Sequence, residues 1–260
     1  MTVAKEAEPQ LKRIKGVFST ESSHYLGFGE TKKKVSQQVF VYAEEQSDGR
    51  VVIQRLNRAF MPGGPKKRIS REDLLKKYMP EPAMYLNKVV PIMRRVEDAV
   101  ERGDMHRERQ EFFSAEFEYK NVLRVDEEHI RATFGLGLTY MDRNEKENAE
   151  VVFRKLVSMD AAFEPEHKHI FNEFGIRMRK LKMYKQAMKY YSRAYHLCKD
   201  DEHLIYNMAR TMFEKGRPAT AKRFLTRALS MNPDFRECKR FLEYLESGET
   251  LPEPFFHEPA

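Results

Sequence analysis

Tryptophan is absent from this chain of 260 residues, and cysteine and glycine are scarce, with two and 12 residues. The two cysteines, Cys198 and Cys238, lie far apart, which excludes the short paired spacing of a zinc ribbon and gives no disulfide framework. Both lie among apolar residues in segments predicted to be helical, as is typical of buried free thiols. Nothing in this usage requires an oxidising compartment, so we expect a reduced cytoplasmic protein.

Long apolar runs are also missing. No stretch approaches the length that a membrane-spanning helix needs. The opening segment, MTVAKEAEPQLKRIK, has no apolar core of the kind that marks a secretory signal. Apolar residues still make up 41% of the chain, which is enough for a packed core and argues against wholesale disorder.

Motifs for catalysis, phosphate binding and zinc binding are missing as well: there is no P-loop, no G-x-S-x-G and no H-E-x-x-H. Gly27 and Gly29 precede three lysines, but the spacing fits no phosphate-binding fingerprint. His167 and His169 precede or open a predicted helix, and His203 and Cys198 are not at the spacing of metal ligands. The sequence therefore predicts no enzyme activity, no cofactor and no metal site.

What the chain does have is charge, at 33% of its residues, and the positive excess is unevenly placed. Residues 1–80 hold 16 Lys and Arg against nine Asp and Glu, whereas residues 81–260 hold 31 of each. The net charge of +7 therefore belongs to the N-terminal part. A basic surface favours polyanions or acidic protein faces, although an excess this small is also common on ordinary solvated surfaces.

Composition and pattern divide the chain into four segments. Residues 1–12 are polar and predicted to be disordered, residues 13–80 to form a small basic α+β module, and residues 81–247 to form a helical domain. Residues 248–260, GETLPEPFFHEPA, form a proline-rich tail that does not continue a helix. The fold class predicted is mainly α, with the α+β module at its N-terminus.

The α+β module is predicted to contain a β-hairpin. Residues 38–43 alternate two apolar sets, which indicates a strand covered on both faces. Asp48-Gly49 is a hairpin turn signal, the return strand is predicted at 51–56, and an earlier strand near 16–19 can join the pair.

A loop and a short helix complete the module. Residues 61–65 carry two prolines and two glycines, so a loop is predicted there. Ser70 followed by Asp73 resembles a capping box and predicts a helix over 71–78, ending before Pro80.

Internal repetition dominates the second half of the chain. Ala115, Ala149, Ala187 and Ala221 recur at separations of 34, 38 and 34 residues, each followed by a bulky residue four positions on. A second register upstream reads Gly137, Gly175 and Ala209. Small residues let two helix backbones approach closely, so each repeat is predicted to be a helical hairpin that buries its apolar faces by stacking on neighbours.

On these residues the chain resembles the tetratricopeptide repeat family. The segments that carry the resemblance are FGLGLTY (134–140) with AEVVFRKL (149–156), FGIRM (174–178) with AMKYYSRA (187–194), and ARTMFEKG (209–216) with AKRFLTRALSMNP (221–233). Four hairpins are predicted, at 84–127, 130–161, 168–200 and 202–233, with a capping helix at 235–247. In the first hairpin, Gly103-Asp104 is expected to form the turn.

The resemblance implies a groove, lined by the first helix of each hairpin, that binds a protein or peptide partner. Projection of the first helices places one row of candidate residues in each of the last three hairpins. The rows are Arg131, Phe134, Leu138 and Met141 in the second hairpin, His169, Asn172, Ile176 and Arg179 in the third, and His203, Tyr206, Arg210 and Phe213 in the fourth. Such a groove is apolar with a basic edge and suits a peptide with aromatic anchors and carboxylates. The competing interpretation is that some of these residues pack on neighbouring repeats or on the N-terminal module.

Two further hypotheses stay open. The tail segment 251–258, LPEPFFHE, combines aromatics with acids and is either a ligand of this groove or an unstructured end. The alternative function is nucleic-acid binding by the N-terminal module near Phe40 and Tyr42. Its candidate polyanion-binding residues are Lys32, Lys33, Lys34, Lys66, Lys67 and Arg68.

Overall fold

A computed structural model describes residues 13–26, 33–164, 167–197 and 199–247. The described residues form two compact units: those within 1–102 and 121–128, here the sheet unit, and those within 103–120 and 129–260, here the repeat unit. The hypotheses for 1–12, for the 248–260 tail and for Cys198 lie outside the described residues. The boundary expected after residue 80 stays a prediction.

The sheet unit is built on five antiparallel strands. They are β1 (Lys15–Leu26), β2 (Lys33–Glu45), β3 (Val51–Leu56), β4 (Pro62–Ile69) and β5 (Met79–Pro80), in the order β4-β3-β2-β1-β5. The predicted hairpin is therefore present as β2 and β3, and the earlier strand pairs with β2 along its length as β1.

Both faces of β2 are covered, as its doubly apolar pattern predicts. Val41 and Ala43 are buried in a cluster with Leu74 of helix α1 (Arg71–Lys77). Tyr42, which points to the opposite face, is buried in a second cluster with Val89. Helix α1 begins at the predicted cap, where the Asp73 amide donates to the Ser70 hydroxyl at 3.0 Å.

The loop predicted at 61–65 is wrong in part, because β4 begins at Pro62. This strand lies at the edge of the sheet, where a proline removes no ladder hydrogen bond from a neighbour. Its register against β3 shifts between Ile53 and Arg55, and Gly64 takes a φ of +70° in the irregular stretch. The glycines and prolines therefore mark a bulged edge strand.

The helices reproduce the predicted hairpins and capping helix. In chain order they are α2 (Pro82–Met84), a π-helical stretch (Tyr85–Val89), α3 (Val90–Glu108), α4 (Phe112–Val125), α5 (Ile130–Asp142), α6 (Lys146–Ser158), a 3₁₀ turn (Asp160–Phe163), α7 (Lys168–Lys180), α8 (Tyr184–Leu197), α9 (Glu202–Glu214), α10 (Pro218–Met231) and α11 (Arg236–Ser247). Helix α5 packs against α6, α7 against α8, and α9 against α10. Phe241 of α11 is buried against this array, with Leu242 and Leu245 packed beside it.

The turn expected at Gly103-Asp104 is wrong. Helix α3 continues to Glu108, and the chain turns at Gln110, which takes a φ of +62°. Position 103 needs a glycine because of packing, since a Cβ there would lie 2.7 Å from the Tyr119 ring. The left-handed residues that close the next three turns are Asn144, Lys182 and Gly216.

Glycines in the first helices let aromatic rings approach the backbone. Gly135 lies against the ring of Tyr119, and a Cβ on Gly137 would lie 2.5 Å from the ring of Phe174. A Cβ on Gly175 would lie equally close, at 2.5 Å, to the ring of Tyr191. From the sequence, these small residues are expected to let two helix backbones approach, whereas in the structure each glycine leaves room for an aromatic side chain of another helix.

Candidate partner-binding surface

The predicted groove residues of α5 belong to the core. Phe134, Leu138 and Met141 are exposed by 0%, 2% and 3% of their surface, and every residue from 132 to 141 is buried. The reason is the packing of rings on both Gly135 and Gly137, which brings neighbours close to α5. Apart from Arg131, the predicted α5 row therefore offers no side chain to a ligand.

Helices α7 and α9, which pack against each other, keep side chains at the surface. His169 and His203 are exposed, while Asn172, Ile176, Tyr206 and Phe213 are half-buried. These six residues are called the first-helix surface below. The Oδ1 atom of Asn172 is buried and accepts no hydrogen bond from any residue that the structure describes.

The predicted basic edge includes Arg131, Arg179 and Arg210, and the first two of these form ion pairs that the sequence did not reveal. Arg131 contacts the Asp104 carboxylate at 2.7 Å, and the nearly buried Arg179 forms an ion pair with Glu214. Arg210 is also buried, with its guanidinium 6.0 Å from the Tyr206 ring. The edge is therefore less basic than its composition suggests.

A charge network links α3, α5 and α7. Arg107 lies 3.5 Å from the Asp142 carboxylate and 3.2 Å from that of Glu173, and Arg177 lies 3.0 Å from Asp142. Burial alone would lower the pKa of Arg107, but attraction by Glu173, and then by Tyr119 and Asp142, outweighs it and raises that pKa. Sequence reasoning missed these partners because they lie 35 and 66 residues from Arg107.

A second network is centred on Glu116 of α4. Its carboxylate accepts hydrogen bonds from Lys120 at 2.6 Å, from Tyr140 at 3.1 Å and from Arg143. Burial alone would raise the pKa of Glu116, but these hydrogen bonds outweigh it and lower that pKa. Arg143 also lies 3.9 Å above the ring of the exposed Phe113.

Aromatic side chains of α9 pack against the buried Phe235, which precedes α11, and against the half-buried Tyr244 of α11. The Tyr206 ring lies 5.1 Å from that of Phe235, and the Phe213 ring lies 5.8 Å from that of Tyr244. His203 packs edge-on against Phe235 at 4.7 Å. Phe235 and Tyr244 were missed because the capping helix was assigned only an end-covering role.

The proposed polyanion-binding residues are only partly described. Lys32 and the side chains of Lys33 and Lys34 lie outside the described residues, whereas Lys66, Lys67 and Arg68 are exposed on β4. Tyr42 is buried and Phe40 packs beside it in the same cluster. Tyr42 is therefore a core residue of the sheet unit, and Phe40 is partly buried beside it.

The described part of the chain holds no group of three or more His, Cys, Asp or Glu side chains arranged to bind a metal ion. None of its helices is both long and apolar enough to cross a bilayer. Cys238 is buried as predicted, and burial raises the pKa of its thiol to about 11, which makes it a poor nucleophile at neutral pH.

Stacked helical hairpins with small residues at the helix contacts define an α-solenoid of the helical-repeat class. Family models described as tetratricopeptide repeat match residues 130–163 and 179–243. Tetratricopeptide repeats are therefore present in these two segments, as the sequence predicts. Repeats of this family indicate protein partners.

Individual relatives are distant. Anaphase-promoting complex subunit 3 of Schizosaccharomyces pombe is 27% identical over 101 residues, which make up 39% of this chain and 14% of that protein. The present chain thus corresponds to a small part of that relative's length.

Solved structures with a similar fold include PilF of Pseudomonas aeruginosa, at 18% identity and a TM-score of 0.46, covering 58% of this chain and 68% of PilF. MamA of Desulfovibrio magneticus is 14% identical with a TM-score of 0.45, covering 58% of this chain and 84% of that one.

Proposed function

We propose that the first-helix surface binds a segment of a partner protein that carries aromatic anchors and carboxylates. The supporting observation is that α7 and α9 keep polar and apolar side chains at the surface, whereas α5 between residues 132 and 141 is closed. His169, His203 and the buried Asn172 oxygen supply hydrogen-bonding groups, and Ile176, Tyr206 and Phe213 supply apolar area. Tyr244 of α11, which is half-buried beside Phe213, extends the same surface.

The test compares two double variants in affinity capture from the native host. Ile176→Asp/His203→Asp places carboxylates on the first-helix surface, where they repel an acidic partner and remove apolar contact. Val151→Asp/His196→Asp makes the same chemical change at exposed positions of the second helices α6 and α8. Arg179 and Arg210 are left intact, because charge reversal at nearly buried positions would threaten folding.

The expected result is a protein retained by wild type and by the second-helix variant but lost from the first-helix variant. With that protein purified, calorimetry should give a Kd raised at least about tenfold, or about 1.4 kcal/mol, for Ile176→Asp/His203→Asp alone. Equal retention by all three forms would refute the proposal. Circular dichroism of each variant controls for loss of fold.

A related hypothesis concerns the tail. If residues 251–258 compete for the first-helix surface, deletion of 249–260 should lower the Kd for the captured partner, because an intramolecular competitor is removed. The truncated and full chains would be titrated with the same purified partner. An unchanged Kd would end the self-ligand hypothesis while leaving the proposed surface standing.

The alternative function, nucleic-acid binding by the sheet unit, rests on the exposed cations of β4. Stacking by Phe40 or Tyr42 would require these residues to leave a packed cluster. Filter binding at increasing salt tests this alternative, and absence of salt-dependent retention of RNA or DNA would remove it.

A further inference from the structure

One face of the sheet is only partly covered by α1. The cluster beneath Leu74 includes Phe18, Val41, Val51 and Ile53 from three adjacent strands. Strand alternation and pairing place four further residues on the same face of the sheet. They are Thr20 on β1, Val39 on β2, Arg55 on β3 and Lys67 on β4.

These residues line a cleft of about 640 Å³. Val39 and Tyr78, which are half-buried, give the cleft apolar surface, and the buried Val41 and Ile53 border it at the edge of the cluster. Sites for small molecules in proteins have volumes of roughly 300 to 1,000 Å³. The cleft is therefore of the right size for a small organic ligand.

The bulge in β4 explains why the cleft is open at this place. Ile53 pairs with Lys67 and Arg55 pairs with Gly63, so β4 uses two more residues than β3 over the same length. The extra residues bend the edge strand, and the Gln54 side chain holds the bend by donating to the Gly64 carbonyl at 3.1 Å. The resulting stretch from 63 to 67 lines the cleft.

The charges around the cleft are not balanced within the described part of the chain. Arg55 and Lys67 are exposed and form no ion pair with a described residue, whereas Arg71 of the same unit lies 3.5 Å from the Glu45 carboxylate. Glu21 also lines the cleft, and its carboxylate accepts a hydrogen bond from Ser36 at 3.4 Å. Two cations beside apolar surface match a ligand that is negative at one end and apolar at the other.

We propose that this cleft, called the sheet cleft below, binds a soluble organic anion with an apolar body. Arg55 and Lys67 hold the charged group, and Val39 and Tyr78 contact the apolar part. The proposal is independent of the partner-binding surface, because all of its residues lie in the sheet unit. A strand of nucleic acid fits less well, since Phe40 and Tyr42 are packed in the cluster on the other face.

The binding test uses anilinonaphthalene sulfonate, a fluorescent anion with an apolar body, titrated into the full chain. Octanoate and octyl phosphate should displace this probe, and octyltrimethylammonium, which has the same chain and the opposite charge, should not. Arg55→Glu/Lys67→Glu should raise the probe Kd at least about tenfold, because both cations are reversed. Arg58→Glu/Arg68→Glu, the same charge change at exposed positions that do not line the cleft, should leave the Kd within about twofold.

A second variant fills the cleft without touching its charges. Gly63 pairs with Arg55 and lines the cleft, and a Cβ built on it meets no atom within 4 Å, so Gly63→Leu has room to fold and projects into the cleft. The expected result is loss of probe binding at an unchanged melting temperature. Unchanged binding in Gly63→Leu and Arg55→Glu/Lys67→Glu, or equal displacement by the cation, would overturn the proposal. So would capture by phosphatidylserine vesicles without binding of the soluble anions, which would assign the cleft to a lipid surface.

Discussion

Helices α5 and α7 hold the same place in successive hairpins, and each carries a glycine followed by a branched apolar residue: Gly137-Leu138 and Gly175-Ile176. Leu138 is 2% exposed, whereas Ile176 keeps part of its surface in solvent. The difference arises from a second glycine in α5. Gly135 admits the Tyr119 ring on one side while Gly137 admits Phe174 on the other, so α5 is enclosed. Equivalent repeat positions therefore give a core helix in one hairpin and a surface helix in the next.

The largest expected loss of folding stability comes from a side chain that forces α5 away from its neighbouring helices. Gly137→Leu places a side chain where a Cβ alone would lie 2.5 Å from Phe174 and 2.9 Å from Val152, both in the core. Overpacking at such a site should lower the free energy of unfolding by about 3 kcal/mol or more. Urea denaturation measures this loss. Gly63→Ala, with open space around its Cβ, is the matched control and should change stability by less than about 1 kcal/mol.

The same comparison shows what sequence reasoning can reach. The repeats were predictable because small and bulky residues recur at similar separations of 34, 38 and 34 residues. This pattern can be read from the sequence without knowing which helices touch, and it gives the approximate bounds of the helices. The complete burial of α5 could not be predicted from the sequence, because it depends on contacts with Tyr119 and Phe174 from other helices. The ion partners Asp104, Asp142 and Glu214 were missed for the same reason, as was the bulged pairing of β4 in the sheet unit. Among the predicted groove residues, those of α7 and α9 are exposed or half-buried, except for the buried Arg179 and Arg210.

A paired truncation sharpens the comparison between the two helices. Leu138→Ala should cost about 3 kcal/mol, because it removes a fully enclosed side chain and leaves a cavity. Ile176→Ala should cost about 1 kcal/mol, since part of that side chain is already in water. Denaturation curves of both variants check the difference. Equal costs would mean that α5 and α7 are equally enclosed in solution, contrary to the account.

The smallest effect is expected at the α4 network and depends on pH. The pKa of Glu116 is lowered from its ordinary value of 4.5 in the folded state, so its contribution is present above that value and is lost as pH falls through the folded pKa. Glu116→Gln should therefore be less stable than wild type by about 1 kcal/mol at neutral pH. The gap should close in acid. A gap that persists unchanged well below pH 4.5 would show that the charge of Glu116 is not its source.

The central claim, that α7 and α9 form the partner-binding surface while α5 is closed by packing, is tested most directly by hydrogen exchange. Exchange would be followed by mass spectrometry with and without the captured partner. The account predicts added protection over Lys168–Lys180 and Glu202–Glu214, with α5 already protected in the free protein and little changed. Protection confined to the second helices α6, α8 and α10, or to the sheet unit, would contradict it.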